Sequence, residues 1–241
     1  MLTTSDRSRS AQDCPLDRLQ EDLTRSGVSL LTDLDLSRAE GVLTELGTLL
    51  PQDHGQVRYD VKPTAQGAGL SSSKSANPLN PHTKASNYPQ PPRLIALWCV
   101  HAARCGGGQT LVADGFRMLS RLSEGELKTA TQEQVAFSDP SRPAMCRAPV
   151  FTMSPVPMLR FSYNLLRHGC YDPEATRISK PNLPRTGQQR LADQLLALFD
   201  ECHEAIDIPD GGLLVVDNRR IVHSRTGFTD HDRHLIRYWL Q

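Results

Sequence analysis

The sequence predicts a sheet-rich α+β fold on an all-strand core, a double-stranded β-helix or jelly roll with flanking helices. Three observations carry that expectation. Short apolar or alternating runs, bounded by Gly, Pro, Asn and Asp, recur from residue 28 to the C-terminus and read as strands. Amphipathic stretches of helical period cluster early and in the middle of the chain. The length of 241 residues, without an internal repeat, suits one core, so a single domain over residues 15–241 is expected.

Residues 1–14 (MLTTSDRSRSAQDC) are polar and are expected to be disordered. LDRLQEDLTRSG spaces its leucines for a helix and ends in Gly27, a C-cap residue. VSLLTDL reads as a short strand and LSRAEGVLTELGTLL as a second amphipathic helix. Residues 51–93 are dominated by Ser, Pro, Asn, Gly and Gln, with QVRYDV as an extended piece. A long irregular segment inside a compact fold is disordered or functional, and this one carries His82. RLIALWCV is an unbroken apolar run, hence a buried strand; GGGQTLVADG follows as a turn and strand, and FRMLSRLSEGELKTA as a helix. PVFTMSP and PMLRFSYNLLR read as two strands around a proline turn. TGQQRLADQLLALFDECHEAI is the longest helical pattern. IPDGGLLVVDNRRIVHSR gives a turn, a strand, a tight Asp-Asn turn and a second strand that delivers His223; HLIRYWLQ is a final alternating strand.

Lys+Arg and Asp+Glu both total 27, so the formal net charge is zero and no basic field is available for nucleic acid. No window approaches a membrane span, and the N-terminus lacks the apolar stretch of a signal peptide. The six cysteines (Cys14, Cys99, Cys105, Cys146, Cys170 and Cys202) form no CxxC pair. Their scatter argues against a zinc ribbon or a disulfide framework and for reduced thiols. A soluble cytoplasmic protein is expected, with a small molecule rather than nucleic acid or membrane as its partner.

His82 follows a proline in a polar loop, and His223 ends a strand after a buried apolar run. Two histidines and a carboxylate on one face of an iron leave three positions for co-substrate and oxygen. His54, His101, His168 and His203 read as solvated or packing residues, and the spacing of His231 and His234 suits a loop and a strand better than a ligand pair.

Three segments carry a resemblance: NPHTKASNYPQPPRLIALWCVHAARCGGGQTLVADG, the LRFSYN strand, and DGGLLVVDNRRIVHSRTGFTDHDRHLIRYWL. In that order they resemble the Fe(II)/2-oxoglutarate oxygenases of the taurine dioxygenase superfamily, particularly its clavaminate synthase-like branch. The resemblance implies a jelly-roll core, Fe(2+) as metal, 2-oxoglutarate and O2 as co-substrates, and a free amino acid or amino-acid-derived metabolite as substrate. His82 and His223 match the proximal and distal iron histidines. Thr110 in GGGQT and Arg233, ten residues after His223, match the pair that holds the far carboxylate of 2-oxoglutarate. A guanidinium fork suits that role, since it binds a carboxylate through two parallel hydrogen bonds. Arg237, four residues further and on the same strand face, matches a position that contacts an acidic group of the substrate.

Lys84 departs from the pattern. The family places Asp or Glu two residues after the first histidine, and no carboxylate occurs between Asp60 and Asp114. Three outcomes stay open. A desolvated, neutral lysine amine coordinates the metal; the ammonium swings away and leaves the position to water or an anion such as chloride, the logic of the related radical halogenases; or the cation repels Fe(II). The expectation is an active oxygenase with Lys84 in an altered site. The alternatives are a non-catalytic binding or partner protein on the same fold, and a radical halogenase.

Overall fold

The structure, a computed structural model, describes residues 8–9, 15–52, 55–139, 145–174 and 186–241. Strand β1 (Ser8–Arg9) falls within the segment expected to be disordered, the rest of which lies outside the described residues. Helix α1 (Pro15–Ser26) starts on a proline, whose missing N–H costs nothing in a first turn. It ends at Gly27, which takes φ 74° and donates its N–H to Leu23. After β2 (Val28–Leu31), helix α2 (Leu36–Leu46) is capped by the Asp35 carboxylate, which accepts from the Arg38 N–H at 2.8 Å. The helix expected to reach residue 50 stops early. A side chain at Gly47 would come 2.6 Å from the carbonyl oxygen of Gln241, and Leu49–Leu50 form β3 against Trp239 and Leu240. Pairing with a distant strand overrides the local helical pattern.

The irregular segment holds β4 (Tyr59–Val61), a 3-10 turn at Ala65–Gly67 and β5 (Leu79–His82), so His82 ends a strand. Then come β6 (Leu94–His101) and β7 (Thr110–Asp114). The helix expected over 116–130 is two, α3 (Gly115–Leu119) and α4 (Glu124–Gln132), because Ser123 and Glu126 form a capping box that starts the second one afresh. β8 (Val135–Phe137) and β9 (Cys146–Ala148) pair without any clear sequence signal. The hairpin of β10 (Phe151–Thr152) and β11 (Met158–Leu159) forms around the proline turn as expected. Its second arm is shorter than predicted, since Ser162 caps helix α5 (Tyr163–His168) and Gly169 ends it at φ 77°. Helix α6 (Gly187–Cys202) opens on a Thr186–Gln189 capping box; the predicted helical tail instead becomes β12 (Glu204–Ile206), paired with β7. β13 (Leu213–Asp217), β14 (Ile221–Arg225) and β15 (His234–Leu240) complete the chain.

The expected mixture of helix and sheet is present, in antiparallel sheets apart from the parallel β1–β2 contact. The larger sheet runs β1-β2-β13-β6-β15-β3, with β4 also on β15; the smaller runs β12-β7-β14-β5. Leu213 and Val215 of β13 face Leu19 of α1 and Leu43 of α2, whereas Leu214 and Val216 meet Val112 and Ile221 of the smaller sheet. Burial on both faces is why this strand has no polar alternation. The other face of the smaller sheet, through Ala113 and Val222, packs on helices α3–α6. No helix of the described residues is long and apolar enough to cross a membrane.

Candidate functional site

β5 and β14 pair with His82 opposite His223, and directly opposed residues project from one face of a sheet. Their rings lie 4.5 Å apart between centroids, tilted by 54°. On the other side of β14, β7 sets Thr110 opposite Arg225. Alternate residues of a strand share a face, so Thr110 and Arg225 look the same way as the histidines. The facing sheet brings Arg237 on β15 and Arg233 just before it. These residues line one cavity of about 340 Å³.

His82 Nδ1 is 2.9 Å from the backbone carbonyl oxygen of Asn80. A carbonyl only accepts, so Nδ1 donates, and in the neutral ring Nε2 is the nitrogen with a free lone pair. Burial, then the charges of His82 and Lys84, hold His223 well below the usual imidazole range, against the opposing pull of the Ile221 backbone. Its Nδ1 is buried with no hydrogen-bond partner among the described residues. In their neutral forms, two neighbouring imidazoles are donors that suit a divalent transition metal. Among the described residues, no group of three or more His, Cys, Asp or Glu side chains is placed to hold one.

Lys84 lines the same cavity, and its backbone is clamped. The Asn218 side chain accepts from the Lys84 N–H at 2.6 Å and donates to the Lys84 carbonyl at 2.9 Å, with a further bond to the Pro92 carbonyl at 2.9 Å. Thr83 is hooked onto Phe161: its N–H donates to that residue's carbonyl at 2.7 Å, and its hydroxyl accepts from the Phe161 N–H at 2.9 Å. Ala85 then takes φ 57°, a left-handed conformation that alanine adopts only where its surroundings impose it.

Arg233 is 4% exposed. Its Nη2 donates to the Gly108 carbonyl at 2.9 Å, while Nη1 is buried without a partner among the described residues. The triple glycine makes this approach feasible. A Cβ on Gly108, at φ 79°, would lie 2.8 Å from Arg233 Nε, and one on Gly107 would lie 2.2 Å from the Gly227 carbonyl oxygen. Gly108→Ala should therefore cost about 1–3 kcal/mol of stability and displace Arg233. Denaturant unfolding and ligand calorimetry check this, and an alanine variant unchanged in both would contradict it.

Arg237 is also buried, at 5% exposure. Its Nε donates to Gln52 Oε1 at 2.8 Å, Gln52 Nε2 donates back to the Arg237 carbonyl at 2.7 Å, and the guanidinium lies over the rings of Tyr59 and Trp239 at 4.4 and 5.7 Å. The structure thus brings together all six residues singled out in the sequence: His82, Lys84, Thr110, His223, Arg233 and Arg237.

Two further residues escaped sequence reasoning. Arg225 carried a usable signal, since two residues after His223 on a strand means the same face. Asn218 read only as a turn former. Among the described residues, the other histidines do not line the cavity. His203 stacks on Phe199, His168 packs edge-on against Tyr163, and His234 bonds Asp60 at 2.7 Å; His101 and His231 are exposed, and His54 lies outside the described residues.

The sequence matches the family model described as Taurine catabolism dioxygenase TauD, TfdA family, over residues 6–239. Among solved structures, the fold resembles an asparagine oxygenase in complex with Fe(II), 2S,3S-3-hydroxyasparagine and succinate, with a TM-score of 0.73 at 22% identity over 93% of this chain and 77% of that one. It also resembles the non-heme iron oxygenase OrfP in complex with Fe and alpha-ketoglutaric acid, with a TM-score of 0.69 at 18% identity over 95% of this chain and 80% of that one.

Proposed function

From the premise that this chain belongs to the TauD, TfdA family, we propose that it is an Fe(II)- and 2-oxoglutarate-dependent oxygenase of the clavaminate synthase-like branch, on a single jelly-roll domain. It oxidises a C–H bond of a free amino acid or a small amino-acid-derived metabolite. The observation that carries this reading is the His82–His223 pair, opposed in register in one cavity with Thr110, Arg233 and Arg237. The substrate class is supported by the 2S,3S-3-hydroxyasparagine bound in one structural relative and by the (3S)-hydroxy-L-Arg bound in another.

Iron, when bound, couples O2 to the oxidative decarboxylation of 2-oxoglutarate to succinate and CO2. His82 Nε2 and the neutral His223 would hold the metal. Arg233 and Thr110 receive the far carboxylate of 2-oxoglutarate, and Arg237 an acidic group of the substrate. Lys84, standing where the family has a carboxylate, would supply no anionic ligand and would balance the charge of an anion bound beside it. With two histidines alone to hold it, metal affinity would depend on the co-substrate.

The test is an anaerobic Fe(II) titration with 2-oxoglutarate, followed in the visible region for the weak charge-transfer band of the chelate, and then admission of O2. The expected result is a band that appears only when both are present, and succinate after oxygen. No band and no succinate at any iron concentration would sink the reading. Arg237→Ala should raise the substrate KM and leave substrate-free succinate formation largely intact, the pattern of lost substrate binding. An unchanged KM would place the substrate on other groups.

A second reading, a binding or partner protein on a retired oxygenase fold, is favoured by the ammonium at position 84 and by the lack of an acidic metal cluster among the described residues. The same titration separates the two.

A further inference from the structure

The stretch SSSKS, residues 71–75, belongs to the irregular segment, and the oxygenase reading gives its lysine no role. Its main chain is nevertheless fixed. The Lys74 N–H donates to the Ser72 hydroxyl at 3.3 Å, and the Lys74 carbonyl accepts from the Thr64 N–H at 2.8 Å. That carbonyl needs a glycine opposite it, since a Cβ on Gly67 would lie 2.2 Å from its oxygen. The side chain is thereby delivered to the cavity wall. There the ammonium donates to the Asp60 backbone carbonyl, and Nζ lies 4.4 Å from the ring centroid of Tyr59. The central guanidinium carbon of Arg237 is also 4.4 Å from that centroid, so the two cations are no more than 8.8 Å apart.

The Asp60 carboxylate bonds His234 at 2.7 Å, and Lys74 forms no ion pair among the described residues. Burial lowers the Lys74 pKa; Asp60 pulls the other way, and the charges of Arg237 and Lys62 lower it further. An anion between Lys74 and Arg237 relieves both cations. The chain as a whole is formally neutral, whereas the described lining of this cavity sets Lys74, Lys84, Arg225, Arg233 and Arg237 against one carboxylate, Asp172. In the oxygenase reading the far carboxylate of 2-oxoglutarate answers Arg233, and one acidic group of the substrate answers Arg237. Asp172 suffices for the single ammonium of an amino acid, and the lysines remain. A substrate with an uncharged side chain leaves their charge unanswered, and one with a basic side chain adds to it.

We propose that the substrate is an acidic amino acid, and that Lys74 determines this specificity by taking the side-chain carboxylate while Arg237 takes the other. The span between the two cations suits the two carboxylates of a four- or five-carbon amino diacid. Selectivity then comes from the polar strap around residue 74 and not from the strands that carry the histidines. The proposal rests on the reading of this cavity as an amino acid site and goes beyond it by fixing the charge of the substrate.

The experiment is isothermal titration calorimetry of the full chain under nitrogen. Fe(II) and saturating 2-oxoglutarate are present, so that the probes meet the other half of the cavity. L-aspartate and L-glutamate are compared with their near-isosteric amides, L-asparagine and L-glutamine, and with L-arginine. At least one acid should bind about tenfold or more tightly than its amide, and L-arginine should bind weakest. Lys74→Met keeps the apolar stem and removes the charge, so it should bring the acid to the level of the amide and leave the amide unchanged. Amides or L-arginine that bind as tightly as the acids overturn the proposal, and so does a wild type that binds none of the five. A Lys74→Met variant that keeps the wild-type preference overturns it as well. Should that variant fail to fold, the wild-type comparison decides alone. Selective binding of an acid without succinate after O2 is admitted sinks the oxygenase reading alone. Succinate formed with no preference for an acid sinks this proposal alone.

Discussion

Lys84→Glu should bind Fe(II) more tightly than the wild type, on the order of 100-fold, when 2-oxoglutarate is left out. The substitution replaces an ammonium with an anionic oxygen donor beside two imidazoles, which completes the two-histidine, one-carboxylate set that non-heme Fe(II) favours. In the wild type, adding 2-oxoglutarate should strengthen iron binding markedly; in Lys84→Glu the dependence should shrink. Anaerobic competition against a chelating indicator measures both. Turnover on the native substrate falls in the same variant if Lys84 positions substrate or balances an anion. If the wild type binds no Fe(II) under any condition while Lys84→Asp does, the non-catalytic reading is correct. If the wild type binds iron and consumes 2-oxoglutarate, and Lys84→Ala abolishes both, the lysine amine itself belongs to the working site.

Arg233→Ala should weaken 2-oxoglutarate binding by about 2–4 kcal/mol, the cost of removing one member of a buried charge pair. That corresponds to roughly 30- to 1,000-fold in Kd. The size of the effect rests on the burial of Arg233 and on its fixed bond to the Gly108 carbonyl, which orients the fork before any ligand arrives. Thr110→Val should cost only about 1 kcal/mol, one neutral hydrogen bond. Calorimetry that finds equal affinity in wild type and Arg233→Ala would remove 2-oxoglutarate from this end of the cavity.

The six residues that meet at the cavity were legible through the resemblance: the histidine pair, the threonine after glycines and the two arginines four apart fall at matching positions, and Lys84 at the one that departs. Arg225 was missed although its spacing from His223 set it on the same strand face; what could not be read locally was its burial, which comes from Ser75, Asn77 and Phe228, brought to it by the fold. Element identities failed for a related reason. Leu49–Leu50 continue a helical pattern, and only the presence of Trp239 and Leu240 alongside converts them to a strand. YNLLR has the apolar content of a strand, yet Ser162 and Gly169 provide both ends of a short helix. The break at Ser123 carried a signal, since S-x-x-E is a helix-start signature, but the surrounding periodicity masked it.

Asn218 grips the turn after His82 by main-chain atoms alone, the amide and the carbonyl of residue 84. Thr83 is secured just as independently of its neighbour's side chain. The main chain at residue 84 is therefore held by bonds that its own side chain does not make, so glutamate or alanine there is expected to leave the Cα in place. Chemistry at this position is modular: the donor can be exchanged without renegotiating the fold that displays it. A single-codon series at residue 84 thus compares metal-site chemistries on one invariant frame.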